Sequence, residues 1–354
     1  MKQALSVAAV APATSNPQPA TSLPKDFLSV LDFTPEGLEA CLDLASGMKS
    51  ARRERTERGI GAPRVSELGG VQGSPPPSKE HLPEVMPLAG AHIALLFEKP
   101  SLRTRSTFTI AVRELGGNVI EPPADVALGG RESLADVARN LERWVAGCVV
   151  RTYEQARLAE FAAAAPRMHV INALTNEEHP CQALADLLTL REQRGSLEGA
   201  TLAYVGDGNN VAASLAQAGL MLGINVRIGS PKGYELPADV AAAARAKAVR
   251  GARLVLTGDP VEAVKDADAV YTDVWASMGQ EEQAAERDAI FRPYQVNEAL
   301  MQAAGPEACF MHCLPAHRGD EVTDAVIDSP RSIVFDQAEN RLHTQKALLA
   351  MLMG

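Results

Sequence analysis

The most constraining feature of this 354-residue chain is an alternation. Short apolar runs are each followed by a turn and then by a stretch with helical spacing. Ile93–Phe97, Val149–Tyr153 and Val170–Ala173 read as buried strands, with a shorter one at Asn118–Glu121. The pattern restarts after Gly195–Gly199. It continues with Thr201–Val205, Asn225–Gly229, Arg253–Thr257, Ala269–Asp273, a last core strand from Phe310 and a short strand at Ser332–Phe335. Near-continuous apolar runs bounded by turn residues belong to strands covered on both faces. Strands joined through helices pair in parallel, because a hairpin cannot contain a helix. The expected fold class is therefore α/β, with two doubly wound parallel-sheet domains joined by interdomain helices. The expected divisions are a disordered extension at 1–24, a first domain at 25–180 and a second at 195–335.

Helix starts are marked along the way. Thr34 followed by Pro35 at the first helical position, with Leu38 and Leu42 beyond, reads as one. Ser133 caps another, running to about Trp144, whose apolar face is Leu134, Val137, Leu141 and Val145. Gly59–Lys79 holds Gly-Gly and a run of three prolines and reads as a loop or disordered insertion.

Composition narrows the function. The net charge is −10, which disfavours nucleic acid as a partner for the surface at large. An acidic chain that gathers arginines into a few short motifs points instead to a local anion site. Its five cysteines, Cys41, Cys148, Cys181, Cys309 and Cys313, are scattered and read as reduced thiols of a cytoplasmic protein, not as a disulfide frame or zinc site. No apolar run approaches the ~18–20 residues of a membrane span. The N-terminal Met1–Val10 imitates a signal peptide only weakly, being soon broken by Pro12 and Pro17, and it lacks the arginines of a transit peptide.

The first motif with chemical content is S-x-R-T-R at Ser101–Arg105, directly after the Ile93–Phe97 strand. Ser101 reads as a helix N-cap. Free N–H groups and the positive end of a helix dipole favour an anion there. Arg103 and Arg105 add guanidinium forks that match phosphate oxygens, and Ser101 and Thr104 add hydroxyls. The same arginines can equally face water or pair with Glu98 and Glu114. Arg151 ends a later strand, where open α/β sheets bind ligands, and a surface ion pair is its bland alternative. His179 and Gln182 lie three apart at a helix start in H-P-x-Q and project to one side. Asn209 and Asn210 end the Thr201–Val205 strand and can hold an amino-acid carboxylate or amine. The Gly206–Asn210 turn lacks G-x-G-x-x-G, which disfavours a dinucleotide. Asp273 opens D-x-W-x-S-M-G-Q-E. It can orient an ammonium, with Ser277 and Met278 closing over an aliphatic chain, or it can serve as a helix cap. Cys313, in H-C-L-P, can be an inert buried thiol.

Together these motifs resemble the aspartate/ornithine carbamoyltransferase family, over nearly everything from about Lys25 onward. S-x-R-T-R resembles its carbamoyl-phosphate loop, and H-P-x-Q resembles its motif for the carbamoyl oxygen and amide. D-x-W-x-S-M-G-Q-E resembles its ornithine-binding loop, and H-C-L-P resembles the motif in which the cysteine meets the ornithine amine. The resemblance implies carbamoyl transfer to the side-chain amine of L-ornithine, giving L-citrulline and phosphate. It implies carbamoyl-phosphate contacts at Ser101, Leu102, Arg103, Thr104, Arg105, Arg151, His179, Pro180, Cys181, Gln182, Cys313, Leu314 and Arg341. It implies ornithine contacts at Asn210, Asp273, Ser277 and Met278. Arg103, His179, Asp273 and Cys313 would be catalytic. No metal or organic cofactor, nucleic acid or membrane is implied. A C-terminal helix at 338–354 would return to the first domain, and a homotrimer would place sites at subunit interfaces. The chain departs from the family pattern at Leu102, where Thr is usual, and at Ala127 and Arg131, where Gln and Lys are. Alternatives are a sibling transferase for putrescine or a modified ornithine, a non-catalytic binding protein on the same fold and, more distantly, a dehydrogenase.

Overall fold

The computed structural model describes residues 23–57, 86–128, 130–276 and 284–354. Most of the 1–24 extension, all of the 59–79 insertion, Ser277 and Met278 lie outside the described residues.

Two parallel sheets form, each flanked by helices. The first has the order β2-β1-β3-β4, from Asn118–Ile120, His92–Phe97, Gly147–Arg151 and His169–Leu174. The second has the order β7-β6-β5-β8-β9, from Leu254–Thr257, Asn225–Gly229, Thr201–Val205, Ala269–Thr272 and Cys309–His312. Period-two alternation sends neighbouring residues to opposite faces. Ile93, Leu95 and Phe97 of β1, with Leu202 and Tyr204 of β5, enter one core that is continuous through both sheets. Ala94 and Leu96 face a second core on the outer side of the first sheet. Ala203 and Val205 face a third on the outer side of the second sheet.

Two helices carry the shared core. In α6 (Pro180–Arg194) every residue from Pro180 to Leu190 is buried, and Gly195 ends the helix in the left-handed region at φ 82°. In α13 (Val334–Met353) the buried set runs nearly end to end, because it packs against α6, α1 (Pro35–Glu57) and α2 (Arg103–Glu114). Lys49 of α1 binds Asn340 Oδ1 and Glu192 at 2.8 Å each, tying α1 and α6 to α13. Thr34 caps α1 by accepting from Gly37 N at 3.1 Å, and Ser133 caps α4 (Leu134–Leu141) by accepting from Asp136 N.

Local readings change. The helix capped by Ser133 ends at Leu141 rather than about Trp144, and the C-terminal helix opens at Val334 rather than 338. Ser332–Phe335 is not a strand. Ser332 makes a single bridge to Phe310, and Val334 already opens α13. Ser101 is not a helix cap. The chain turns at Leu102, in α-helical conformation, and no side chain caps α2.

Sheet order now places the functional residues. In the first sheet the connections diverge between β1 and β3, and in the second between β5 and β8. In open α/β sheets the crevice at such a divergence, beyond the strand C-termini, is where ligands sit. The turn after β1 and the first turn of α2 hold Ser101–Arg105, and Arg151 ends β3. The turn after β5 ends at Asn209, Asn210 opens the next helix, and Asp273 follows β8.

Candidate active site

These loops converge on one cleft of about 790 Å³ between the two sheets. Of the residues expected from sequence, Ser101, Leu102, Arg103, Thr104, Arg151, His179, Gln182, Asn210, Asp273, Cys313, Leu314 and Arg341 line it. Arg105, Pro180 and Cys181 do not. Arg105 points away, 3.4 Å from Glu121 and over the Phe97 ring at 5.4 Å. Pro180 begins α6, and the Cys181 thiol donates to Asn172 O at 3.3 Å.

The first wall is cationic. A register shift between Val150 and Arg151 breaks the β3–β4 pairing at the position where Arg151 must turn into the cleft. Arg151 is buried, and its Nε has no partner among the described residues. Burial, then Arg341 nearby, lowers its pKa to about 10, so the guanidinium stays charged at neutral pH. Arg341 of α13 donates to Gln182 Oε1 and to Thr104 Oγ1, the latter at 2.6 Å, while its Nε has no partner among the described residues. One buried guanidinium therefore joins the C-terminal helix, α6 and the phosphate-type loop. Burial also lowers the Arg103 pKa. Lys99, which sequence reasoning passed over, is buried beside them. It donates to Asn176 Oδ1 at 2.7 Å and lies 4.5 Å over the Tyr153 ring. Its signal was a lysine at the C-terminal end of a buried strand, two residues before the motif.

His179 is the N-cap residue of α6, and its Nδ1 is buried without a partner among the described residues. Burial, then the charges of Arg341, Arg151 and Arg103, hold its pKa well below the ordinary imidazole value. The ring is thus neutral and can donate one N–H to an oxygen without adding charge. Gln182 Nε2 donates to Asp186 Oδ1 at 2.7 Å, which fixes its amide with the oxygen towards Arg341. Asp186 also accepts from Gln337 Nε2 at 2.9 Å and Tyr271 OH at 3.1 Å. Burial raises its pKa to about 6.

The opposite wall is acidic and comes from the second sheet. Asn209 accepts the first N–H groups of α7 (Asn210–Met221) on Oδ1, and its Nδ2 donates to Asp273 Oδ2 at 2.8 Å. A residue read as a ligand contact is therefore a helix cap that aims Asp273. Asn210 Nδ2 is engaged to Thr175 O at 2.6 Å. The Cys313 thiol donates to Asp273 Oδ1 at 2.9 Å. Burial, then Asp273, raises its pKa well above that of a free thiol, so it remains an S–H donor. Leu314 turns at φ 56°, and its N–H donates to His312 Nδ1 at 2.8 Å. Asp273, His312 and Cys313 bring donor atoms within 4.8 Å of one another, the one such group among the described residues. Here those atoms are committed to each other and to the turn.

The departures are also placed. Leu102 is 76% exposed and lines the cleft. Ala127 is buried in α3 (Ala124–Ala127), and Arg131 is exposed outside the cleft lining.

The cleft thus offers phosphate-type cations and a neutral imidazole on one side, and a carboxylate with a thiol on the other. Comparison with known proteins agrees with that division. The model for the aspartate/ornithine carbamoyltransferase carbamoyl-P binding domain matches residues 25–192, and that for the Asp/Orn binding domain matches residues 198–352. The ornithine carbamoyltransferase of Parafrankia sp. (strain EAN1pec) is 47% identical over 331 residues, 93% of this chain and 96% of that protein. The anabolic ornithine carbamoyltransferase of Pyrococcus furiosus is 52% identical over 269 residues, 75% of this chain and 85% of that protein. A solved structure of the ornithine carbamoyltransferase from Pyrococcus furiosus superposes with a TM-score of 0.83 at 45% identity, covering 95% of this chain and 99% of that one. With both halves matched and the two walls of the cleft divided between them, the chain belongs to the aspartate/ornithine carbamoyltransferase family.

Proposed function

We infer that this chain transfers the carbamoyl group of carbamoyl phosphate to the side-chain amine of L-ornithine, giving L-citrulline and phosphate. The observation that carries the reading is the split cleft. Three guanidiniums and a neutral histidine face a carboxylate held by Asn209 and Cys313. Dianionic phosphate suits the first wall, and an alkylamine suits the second.

In this reading Arg103, Arg151 and the N–H groups at the start of α2 hold the phosphate. Gln182, with its amide orientation fixed, reads the carbamoyl group. Asp273 accepts from the ornithine amine and aims its lone pair at the carbamoyl carbon. As the C–N bond forms, negative charge gathers on the carbamoyl oxygen. Arg103, His179 and Arg341 donate to it, and preorganised donors of this kind are each worth about 3 kcal/mol in a dry site. The C–O bond to phosphate then breaks. Phosphate leaves with the electron pair and takes the amine proton. Holding two small substrates in line supplies much of the remaining acceleration.

The test is citrulline formation from carbamoyl phosphate with ornithine, run beside putrescine, N-acetylornithine and aspartate. Strong preference for ornithine is expected. Turnover of another amine would overturn the assignment of the second wall, and turnover of none would overturn the reaction.

The exposed apolar side chains of Leu102, Val126 and Trp144 support a homotrimer in which neighbouring subunits cover them. Five free thiols suit a reducing, cytoplasmic setting, and no helix among the described residues is long and apolar enough to cross a membrane. A role in arginine biosynthesis fits the anabolic name of the Pyrococcus furiosus relative.

A further inference from the structure

Glu178 is buried next to His179, and the mechanism above does not use it. Its Oε1 lies 2.6 Å from Ser29 Oγ, in the segment that precedes the short turn Val30–Asp32. Its Oε2 lies 3.3 Å from Ser214 Oγ, on α7 of the second domain. Ser214 Oγ in turn accepts the backbone N–H of His179 at 3.0 Å. The Glu178 backbone closes the same loop on itself. Its N–H reaches Thr175 Oγ1 at 3.1 Å, and its carbonyl accepts from Thr175 N at 2.8 Å. A polar group that joins three separate segments behind a site residue fixes where that residue points.

We propose that Glu178 is a positioning residue for His179, its carboxyl pinning the His179 loop to the first domain through Ser29 and to the second through Ser214. This rests on the reading of His179 as an oxygen donor in carbamoyl transfer. The pin responds to pH. Burial, opposed by the two serine hydroxyls, pushes the Glu178 carboxyl up to about 7. Among the described residues Asp32, on the Val30–Asp32 turn, is the one other charge acting on it, and the Val30 N–H also favours the ionised form. α7 brings Ser214 and has no charged residue, and the neighbouring His179 is held neutral. Opening the loop returns the carboxyl to water and to its ordinary range near 4.5. Protonated Glu178 therefore favours the closed loop, and that advantage is lost progressively as pH rises from about 4.5 to about 7. In the protonated form one oxygen accepts from Ser29 while the O–H donates to Ser214. Glu178→Gln reproduces that pattern at every pH.

Hydrogen exchange of the peptide spanning 174–183, corrected for the intrinsic rate, reads the pin without catalysis. In the full-length wild type, protection is expected to fall as pH rises from 5 to 7, and in Glu178→Gln it is expected to stay level across that range. Glu178→Ala should lower protection throughout and reduce kcat about tenfold while leaving the KM for ornithine nearly unchanged. Ser214→Ala should raise exchange at the same peptide. The same pH dependence in wild type and Glu178→Gln would overturn the proposal, as would wild-type protection and kcat in Glu178→Ala. Because exchange needs no substrate, a wild type that makes no citrulline but shows these exchange patterns would sink the reaction and leave the pin standing.

Discussion

At the scale of single residues, the site separates into groups that bind and groups that aim. Arg103 and Cys313 lie on opposite walls, so their loss should be felt by different substrates. Arg103→Ala removes a guanidinium from both the phosphate and the developing oxyanion. It is expected to lower kcat by about 10²–10³-fold and to weaken carbamoyl phosphate. Cys313→Ala removes one donor to Asp273 and should raise the KM for ornithine more than that for carbamoyl phosphate. Steady-state kinetics with each substrate varied in turn checks both, and equal effects on the two substrates would contradict the division. The motifs that carry these residues were legible because each follows a strand end and combines types that need one another. What was not legible is which neighbour does the aiming. Asn209 and Asn210 are adjacent and identical, yet only the cap geometry makes Asn209 the partner of Asp273. Arg103 and Arg105 sit two apart on one helix, and the turn at Leu102 decides which of them lines the cleft. Glu178 offered no signal at all, since its partners are Ser29 and Ser214, 149 and 36 residues away.

At the scale of elements, strand–helix alternation fixed the sheet type in advance because parallel pairing follows from the crossovers alone. It failed at Ser332–Phe335, where four residues are too few to separate a strand from the first turn of a helix. The element that most constrains the acidic wall is the turn after β5. A Cβ on Gly208 would lie 2.3 Å from Leu236 N and 2.5 Å from Glu235 C, both backbone atoms that cannot swing aside. Gly208→Ala is therefore expected to displace this turn, at a cost of at least about 2 kcal/mol in stability. The displaced turn carries Asn209, so ornithine binding should weaken with it. Thermal unfolding and the KM for ornithine test the two effects together. An unchanged melting temperature would show that the turn has more room than its backbone contacts allow.

At the scale of the whole molecule, two sheets share one core along α6, so the domains are not independent beads on a linker. Leu102, in the cleft lining, and Trp144 stand 76% and 66% exposed. Apolar side chains of that size are expected to be covered by a second copy. Light scattering should give three times the chain mass, and a Trp144→Glu, Leu102→Glu double variant should lower it. A wild type that stays monomeric at assay concentration would remove the trimer from this account. The return of α13 to the first sheet has a consequence for how the protein is made. Arg341 supplies both the bond to Gln182 and the bond to Thr104, and it lies more than 150 residues beyond the last strand of the first sheet. On the ribosome the phosphate wall is translated early but stays without its clamp. A nascent chain stalled before α13 should hold a formed first sheet and still fail to retain phosphate, so anion capture becomes a late checkpoint of synthesis.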